Sequence, residues 1–366
     1  MSREGTKASY AVVGVGLAGR GMGWFHALQL VNDDVADAAL SDIVEPFFLG
    51  EAGKSTGGGE AFDKDVVQVW KPKGVQFHAS LTAEACWAAA GQGPKIALIA
   101  GRTVDNPKLF RQALAAGATH VLLEKPGAPT VEELEAMAEE AKAKNVPVFM
   151  GFIKNIAAYF TEAFEVVQKT DGSRLTLISR NDYTKDTLAE CFARNSEGLL
   201  KNMAIHELAL AAQFFGMRAD NVTDVTLEEP DNCECLTLDG RTDFSKIDFT
   251  LTNSHNDVVR ISADRCAGDG CCAKVTDKTG KEIFSKELVD DASQERVKQR
   301  MAQHPDWLSY LITQEPEYAD LKARCARAAI DGVFPPAVAT IDIAIAALKL
   351  AEYLTPVLQA KLQQNK

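Results

Sequence analysis

An apolar run, Tyr10-Ala-Val-Val, passes directly into Gly14-Val-Gly16-Leu17-Ala18-Gly19, and a helix-forming stretch follows through Phe25 to Leu30. Few local patterns restrict a chain more. A strand ending in GxGxxG and leading into a helix is the opening of a doubly wound α/β domain. Gly14 allows the tight turn, Gly16 lets backbone approach a pyrophosphate, and Gly19 allows close packing of helix on strand. Leu17 and Ala18 complete the turn, and the helix N-terminus beyond it favours negative charge. The alternative is a glycine-rich turn in a non-binding α/β domain, which the flanking strand and helix disfavour.

The first 150 residues keep this rhythm. Further strands are predicted at Ala39–Val44, Gly74–His78, Lys95–Ala100, His120–Glu124 and Val146–Met150, with helices such as Pro107–Ala116 and Val131–Lys144 between them. Strands alternating with helices imply a parallel sheet with right-handed crossovers, and continuously apolar strands imply burial on both faces. Residues 50–73 break the pattern. With Gly57-Gly58-Gly59 and several charges they read as a loop insertion. Gly53-Lys54-Ser55 within them is not a P-loop, because Phe48 stands where a glycine is required.

The second half reads differently. Leu175–Ser179 begins a strand and Gly198–Phe215 reads as one helix. Val222–Leu227, Cys235–Leu238, Lys246–Leu251, Val258–Ala263 and Ala273–Asp277 are short strands without intervening helices, which predicts a largely antiparallel sheet. A long helix from about Val338 to Leu362 closes the chain. The expected architecture is α/β: a Rossmann domain over 1–152, then an α+β domain over 153–366 for substrate binding and oligomerisation, whose final helix could pack back on the first.

Composition narrows the classes. At 366 residues the chain is long enough for two domains. A net charge of −12 disfavours nucleic acid as a partner. No stretch is apolar enough to span a bilayer, and Met1–Lys7 lacks the apolar run of a secretory leader, so a cytoplasmic protein is expected. The eight cysteines are then expected as free thiols. Cys233, Cys235, Cys266, Cys271 and Cys272 lack the CxxC and histidine spacings of a zinc site, and no metal is expected.

Glu45 follows the second strand, where a dinucleotide fold places an acid on the adenosine ribose, although its distance from Gly14 exceeds the usual ~20 residues. The stretch Arg20–Trp24 looks lengthened and would absorb the difference. Asp42 competes from inside the strand. A carboxylate repels a 2′-phosphate, which favours NAD over NADP, with Lys54 and Lys64 as nearby charges of opposite effect.

After the fifth strand stands Glu124-Lys125-Pro126-Gly. With the glycine turn before it and the histidine-bearing Lys201-Asn202-Met-Ala-Ile-His206 after it, the whole chain resembles the Gfo/Idh/MocA family, which includes glucose–fructose oxidoreductase and inositol dehydrogenases. The resemblance implies hydride transfer between a nicotinamide cofactor and a hydroxyl-bearing carbon of a sugar, polyol, cyclitol or sugar acid. It implies Lys125 as the group that polarises the reacting oxygen, His206 as proton relay, and a cis bond before Pro126. An ammonium in that place stabilises developing oxyanion charge, and histidine titrates near neutrality. Asn202 stands where the family more often has a carboxylate, four residues from His206 and so expected on the same helical face.

Gly101, Arg102 and Glu124 join Lys125 as candidate cofactor contacts. Lys154, Asn155, Arg180 and Tyr183, with Asn202 and His206, are candidate substrate contacts. If Lys154 and Arg180 both face inward, an anionic substrate is favoured. The resemblance also implies a homodimer or homotetramer. Two other readings remain: a redox-assisted lyase or glycosidase that recycles its dinucleotide, and a non-enzymatic dinucleotide-dependent regulator.

Overall fold

A computed structural model describes residues 6–82, 86–88 and 93–364; the N-terminal pentapeptide of the leader argument lies outside them. The chain forms two compact units, Met1–Ile153 with Gln299–Ile341, and Lys154–Lys298 with Asp342–Lys366.

The first unit carries a six-stranded parallel sheet: β1 (Ala8–Val13), β2 (Ala38–Val44), β3 (Gln76–His78), β4 (Lys95–Ile99), β5 (His120–Leu123) and β6 (Val148–Met150). Their order is β3-β2-β1-β4-β5-β6, so the chain reverses its winding between β1 and β4 and leaves a crevice at their carboxyl ends. Val12, Val13, Leu98, Ile99, Leu122 and Leu123 are fully buried, as strands covered on both faces require. Helices Met22–Val31, Asn106–Ala115 and Val131–Ala143 supply crossovers. Thr130 caps the last of these by accepting the Glu133 amide at 3.3 Å.

Residues 50–73 are not a loop. They form short helices, Glu51–Thr56 and Gly58–Phe62, followed by helical turns through Lys73. Phe62, Val66 and Trp70, each four apart, are buried, and that apolar stripe outweighs the glycines and surface charges. Gln299–Ile341, placed with the second domain on sequence grounds, belongs to the first unit. Its helix Glu315–Asp331 buries Tyr318, Leu321, Cys325 and Ala326, and Tyr318 packs edge-on against Phe25 and His26.

The second unit holds a mixed sheet ordered β13-β12-β7-β11-β10-β8, with β9 paired to β10. Its strands are β7 (Arg174–Asp182), β8 (Val222–Leu227), β9 (Glu234–Leu238), β10 (Arg241–Asn253), β11 (Val258–Asp264), β12 (Cys266–Thr276) and β13 (Glu282–Glu287). Only β7 and β11 pair in parallel. Phe244, Ile247, Phe249, Leu251, Val259 and Ile261 line its buried side. The stretch 198–215 is two helices, Leu199–Asn202 and Ile205–Phe214. The Ala204 amide reaches back five residues to the Leu199 carbonyl instead of four, so the break falls between Asn202 and His206. The closing helix runs Ile341–Gln364 and contains Pro356. No helix among the described residues is long and apolar enough to cross a membrane.

The helix-packing glycine is Gly23, not Gly19. A Cβ at Gly23 would meet the Gly14 carbonyl oxygen at 2.0 Å, whereas one at Gly19 would come no nearer than 3.4 Å to the Trp307 ring and 3.9 Å to the Asp306 carbonyl oxygen. The helix starts at Met22, so the turn runs three residues past Gly19 before backbone and strand come together. Gly23→Ala should therefore lower unfolding stability by at least about 1–3 kcal/mol, read from denaturant melts, while Gly19→Ala, hindered mainly by its φ of +72°, should cost less.

Candidate active site

The glycine turn and the strand ends build one cradle. Gly14 (φ +80°) and Gly16 (φ +75°) occupy the left-handed region that L side chains avoid. A Cβ at Gly14 would lie 2.6 Å from the Gly101 Cα, so the chain leaving β1 passes against the chain leaving β4. Glu45, just past β2, is 4% exposed. It accepts the Gly16 amide at 2.9 Å and the Phe47 amide at 3.1 Å. The acid at the end of β2 is thus fixed on the glycine turn. Asp42, the competing acid, faces elsewhere: its oxygens receive His78 Nε2 at 2.8 Å and the Trp87 amide at 3.0 Å.

Leu17 and Ala18 are half-buried within the turn. Gly101 lies beside Gly14, but the Arg102 side chain is 81% exposed and paired with Asp105. Glu124 and Lys125 follow β5, and the Lys125–Pro126 bond is cis, as the family resemblance implied. Glu124 points into the protein instead of toward the crevice. Its carboxylate packs on Gly151, where a Cβ would meet it at 2.6 Å, and receives His26 Nε2 at 2.9 Å.

In the second unit, His206 is buried near the start of its helix. Asn202 Nδ2 donates to Glu197 at 2.8 Å, which puts a carboxylate one hydrogen bond behind the amide. The basic pocket expected from Lys154 and Arg180 does not form. Lys154 is 4% exposed; its Nζ donates to Glu207 and, at 3.2 Å, to Ser179. Burial disfavours its charge, but Cys271 and Glu207 outweigh that and hold the ammonium above its ordinary range. Arg180 donates to Glu287 at 2.8 and 3.0 Å. Asn155 Nδ2 donates to Gln213 at 2.7 Å and is fully buried. Tyr183 accepts Arg194 at 2.5 Å and packs with Leu188, Cys191 and Phe192. These four side chains are committed to their own unit, and the case for an anionic substrate loses its two cations.

All eight cysteines are free. Among the described residues those at 233, 235, 266, 271 and 272 gather no metal-ligand group; Asp42, His78 and Cys86 lie close together instead. Burial pushes the Cys86 thiol up to about 11, so it stays protonated, and both Asp42 oxygens already serve β3 and the following loop.

Sequence reasoning missed three residues near the cradle. Trp307 lies over Gly19, edge-on to Trp24 at 5.0 Å and stacked on His304 at 3.7 Å. His26 and Lys322 are fully buried. The signal for Lys322 was present: it shares the apolar stripe of Tyr318, Leu321, Cys325 and Ala326, where a surface lysine would not fall.

The family model described as oxidoreductase family, NAD-binding Rossmann fold (GFO_IDH_MocA) matches residues 61–152. No curated protein matches the chain. Among solved structures, scyllo-inositol dehydrogenase from Lactobacillus casei with bound NAD(H) and scyllo-inositol superposes with a TM-score of 0.67 at 14% identity, covering 99% of this chain and 98% of the other. Myo-inositol dehydrogenase from Corynebacterium glutamicum gives 0.61 at 20% identity over 95% of each chain. Myo-inositol 2-dehydrogenase from Lactobacillus plantarum gives 0.65 at 17% identity, covering 99% and 98%. These likenesses establish the shared two-part fold.

The Lys154–Glu207 pair has a stability consequence. Lys154→Met leaves a buried carboxylate without its cation and should cost about 3–5 kcal/mol, measured by denaturant unfolding. Lys154→Met with Glu207→Leu should recover most of that loss.

Proposed function

We infer that this chain belongs to the Gfo/Idh/MocA family of NAD-binding oxidoreductases, whose model matches residues 61–152, and is a dehydrogenase or reductase acting at a hydroxyl-bearing carbon of a polyol, cyclitol, sugar or sugar acid. The observation that carries this is the carboxyl edge of the first sheet. There the Gly14–Gly101 contact leaves room only for backbone, Glu45 is fixed on the glycine turn, and Lys125 follows β5.

These residues fit a dinucleotide. A Cβ at Gly14 would strike the Gly101 backbone and push the turn off the strand ends, and the Glu45 carboxylate suits ribose hydroxyls and repels a 2′-phosphate, which favours NAD over NADP. Bound NAD supplies a hydride acceptor at nicotinamide C4. Lys125 would hydrogen-bond the carbinol oxygen and stabilise the negative charge that builds there as the hydroxyl proton leaves. His206 takes the hydroxyl proton in oxidation and returns it in reduction. Asn202 orients the hydroxyls or His206, and Glu197 behind it supplies the negative charge that the amide lacks. Small polyols such as the inositols of the structural neighbours are the first substrates to try, and assembly as a homodimer or homotetramer belongs to the same reading.

A screen of inositols, hexoses, polyols and sugar acids with NAD, followed by absorbance of the reduced cofactor, tests the reading. Net NADH should form with at least one of them; product formation without net NADH would mean recycling within each turnover. Lys125→Met should lower kcat by about 10²–10⁴-fold while NAD still binds in calorimetric titration. Normal turnover by that variant would contradict the assignment of Lys125. Glu45→Ala should weaken NAD binding and narrow its preference over NADP in the same titration.

A further inference from the structure

The ladder between β4 and β5 ends where the Glu124 amide donates to the Ile99 carbonyl at 2.9 Å. Beyond that bond the two chains part. One turns through residues 101–105 into helix Asn106–Ala115, and the other runs through Lys125, Pro126 and Gly127. A side chain joins them again. Asn106, the first residue of its helix, is 1% exposed, and its Nδ2 donates to the Gly127 carbonyl at 3.1 Å. The chemistry above gives this residue no part.

Both ends of this link are fixed. The Asn106 backbone amide donates to the Arg102 and Thr103 carbonyls at 3.2 and 3.3 Å, which sets the residue on the turn leaving β4. Gly127 has a φ of +101°, and a Cβ there would meet Leu134 Cδ1 at 2.8 Å, so its backbone lies against helix Val131–Ala143. The Gly127 carbonyl only accepts, so the side-chain nitrogen of Asn106, not its oxygen, faces it. Asn106 Oδ1 turns the other way. It lies 3.4 Å from where a Cβ of Gly101 would stand and has no hydrogen-bond partner among the described residues. A buried amide satisfied at one end only is a poor stabiliser, because the bond left unmade offsets the bond made. What explains the amide is the group its donor holds, the turn that carries Lys125.

We propose that Asn106 is a positioning residue for the Lys125 step: it ties the Lys125–Pro126–Gly127 turn to the end of β4 and so fixes where the Lys125 backbone leaves β5. The inference rests on the role given to Lys125 above. Lysine carries its ammonium on a flexible stem, so the place of that charge depends on how firmly the backbone beneath it is held. Misplacement by about 1 Å is enough to cost about a hundredfold in rate. Asn106 is buried and acts on the reaction through the turn, not by touching substrate.

Two variants of the full chain test this. Asn106→Ala removes the donor. Without any substrate, amide hydrogen exchange across residues 124–130 should quicken in it as the turn loosens; unchanged exchange would overturn the proposal. With the polyol that turns over, its kcat should fall by about ten- to a hundredfold. The KM for NAD, and NAD affinity in calorimetric titration, should stay at native values, because Gly14 and Glu45 are untouched. Asn106→Asp keeps the shape and changes only the donor. Its carboxylate has no hydrogen to give, but the protonated form regains one, and burial raises the pKa of such a group. Turnover relative to the native protein should therefore recover as pH falls, whereas the same ratio for Asn106→Ala stays flat. Native kcat in both variants, NAD affinity lost in step with kcat, or an Asn106→Asp ratio that ignores pH would overturn the proposal. If Asn106→Ala does not fold, the pH dependence of Asn106→Asp decides. Normal turnover by Lys125→Met would remove the reading of Lys125 and this role with it. An impaired Lys125→Met beside Asn106 variants of native kcat would remove only the role of Asn106.

Discussion

At Gly14 three stretches of backbone meet more closely than any side chain would permit. The chain leaving β1 passes the Gly101 backbone, and the helix that follows sets Gly23 against the Gly14 carbonyl, where a Cβ would sit at 2.0 Å. Interiors packed at crystalline density leave no slack for such contacts to relax. They lock the ends of β1 and β4 to the start of the first helix at the point where the sheet reverses. Glu45, Gly101 and Lys125 are the residues that strand order then delivers to that edge.

Charge inside the two units is handled in different ways. Lys154 and Glu207 in the second unit neutralise each other directly and hold β7 and the Ile205–Phe214 helix together. In the first unit Lys322 and Glu124 are separated by His26, a ring that accepts on one side and donates on the other. Both arrangements are shut off from solvent.

Much of the fold was legible because its signals are local. The six strands of the first sheet and the glycine turn each follow from short runs of sequence, and the cis bond at Pro126 was implied by the family resemblance. The errors occur where a short-range rule met a long-range contact. Residues 50–73 looked like a loop because their glycines are conspicuous, while Phe62, Val66 and Trp70 are buried in the folded chain. Gly19 took the packing role because the motif ends there, although the helix begins only at Met22. Lys154 and Arg180 read as pocket cations because nothing nearby in sequence announces Glu207 or Glu287 as partners. The Glu124–His26–Lys322 row spans almost 300 positions, beyond the reach of any local pattern.

Direct hydride transfer from substrate carbon to the nicotinamide ring is the central claim, and isotope transfer tests it most directly. A polyol carrying deuterium on the reacting carbon should deliver that deuterium to C4 of the reduced cofactor, one atom per turnover, as seen by proton NMR of the recovered NADH. Product formed with no deuterium on the cofactor would contradict it.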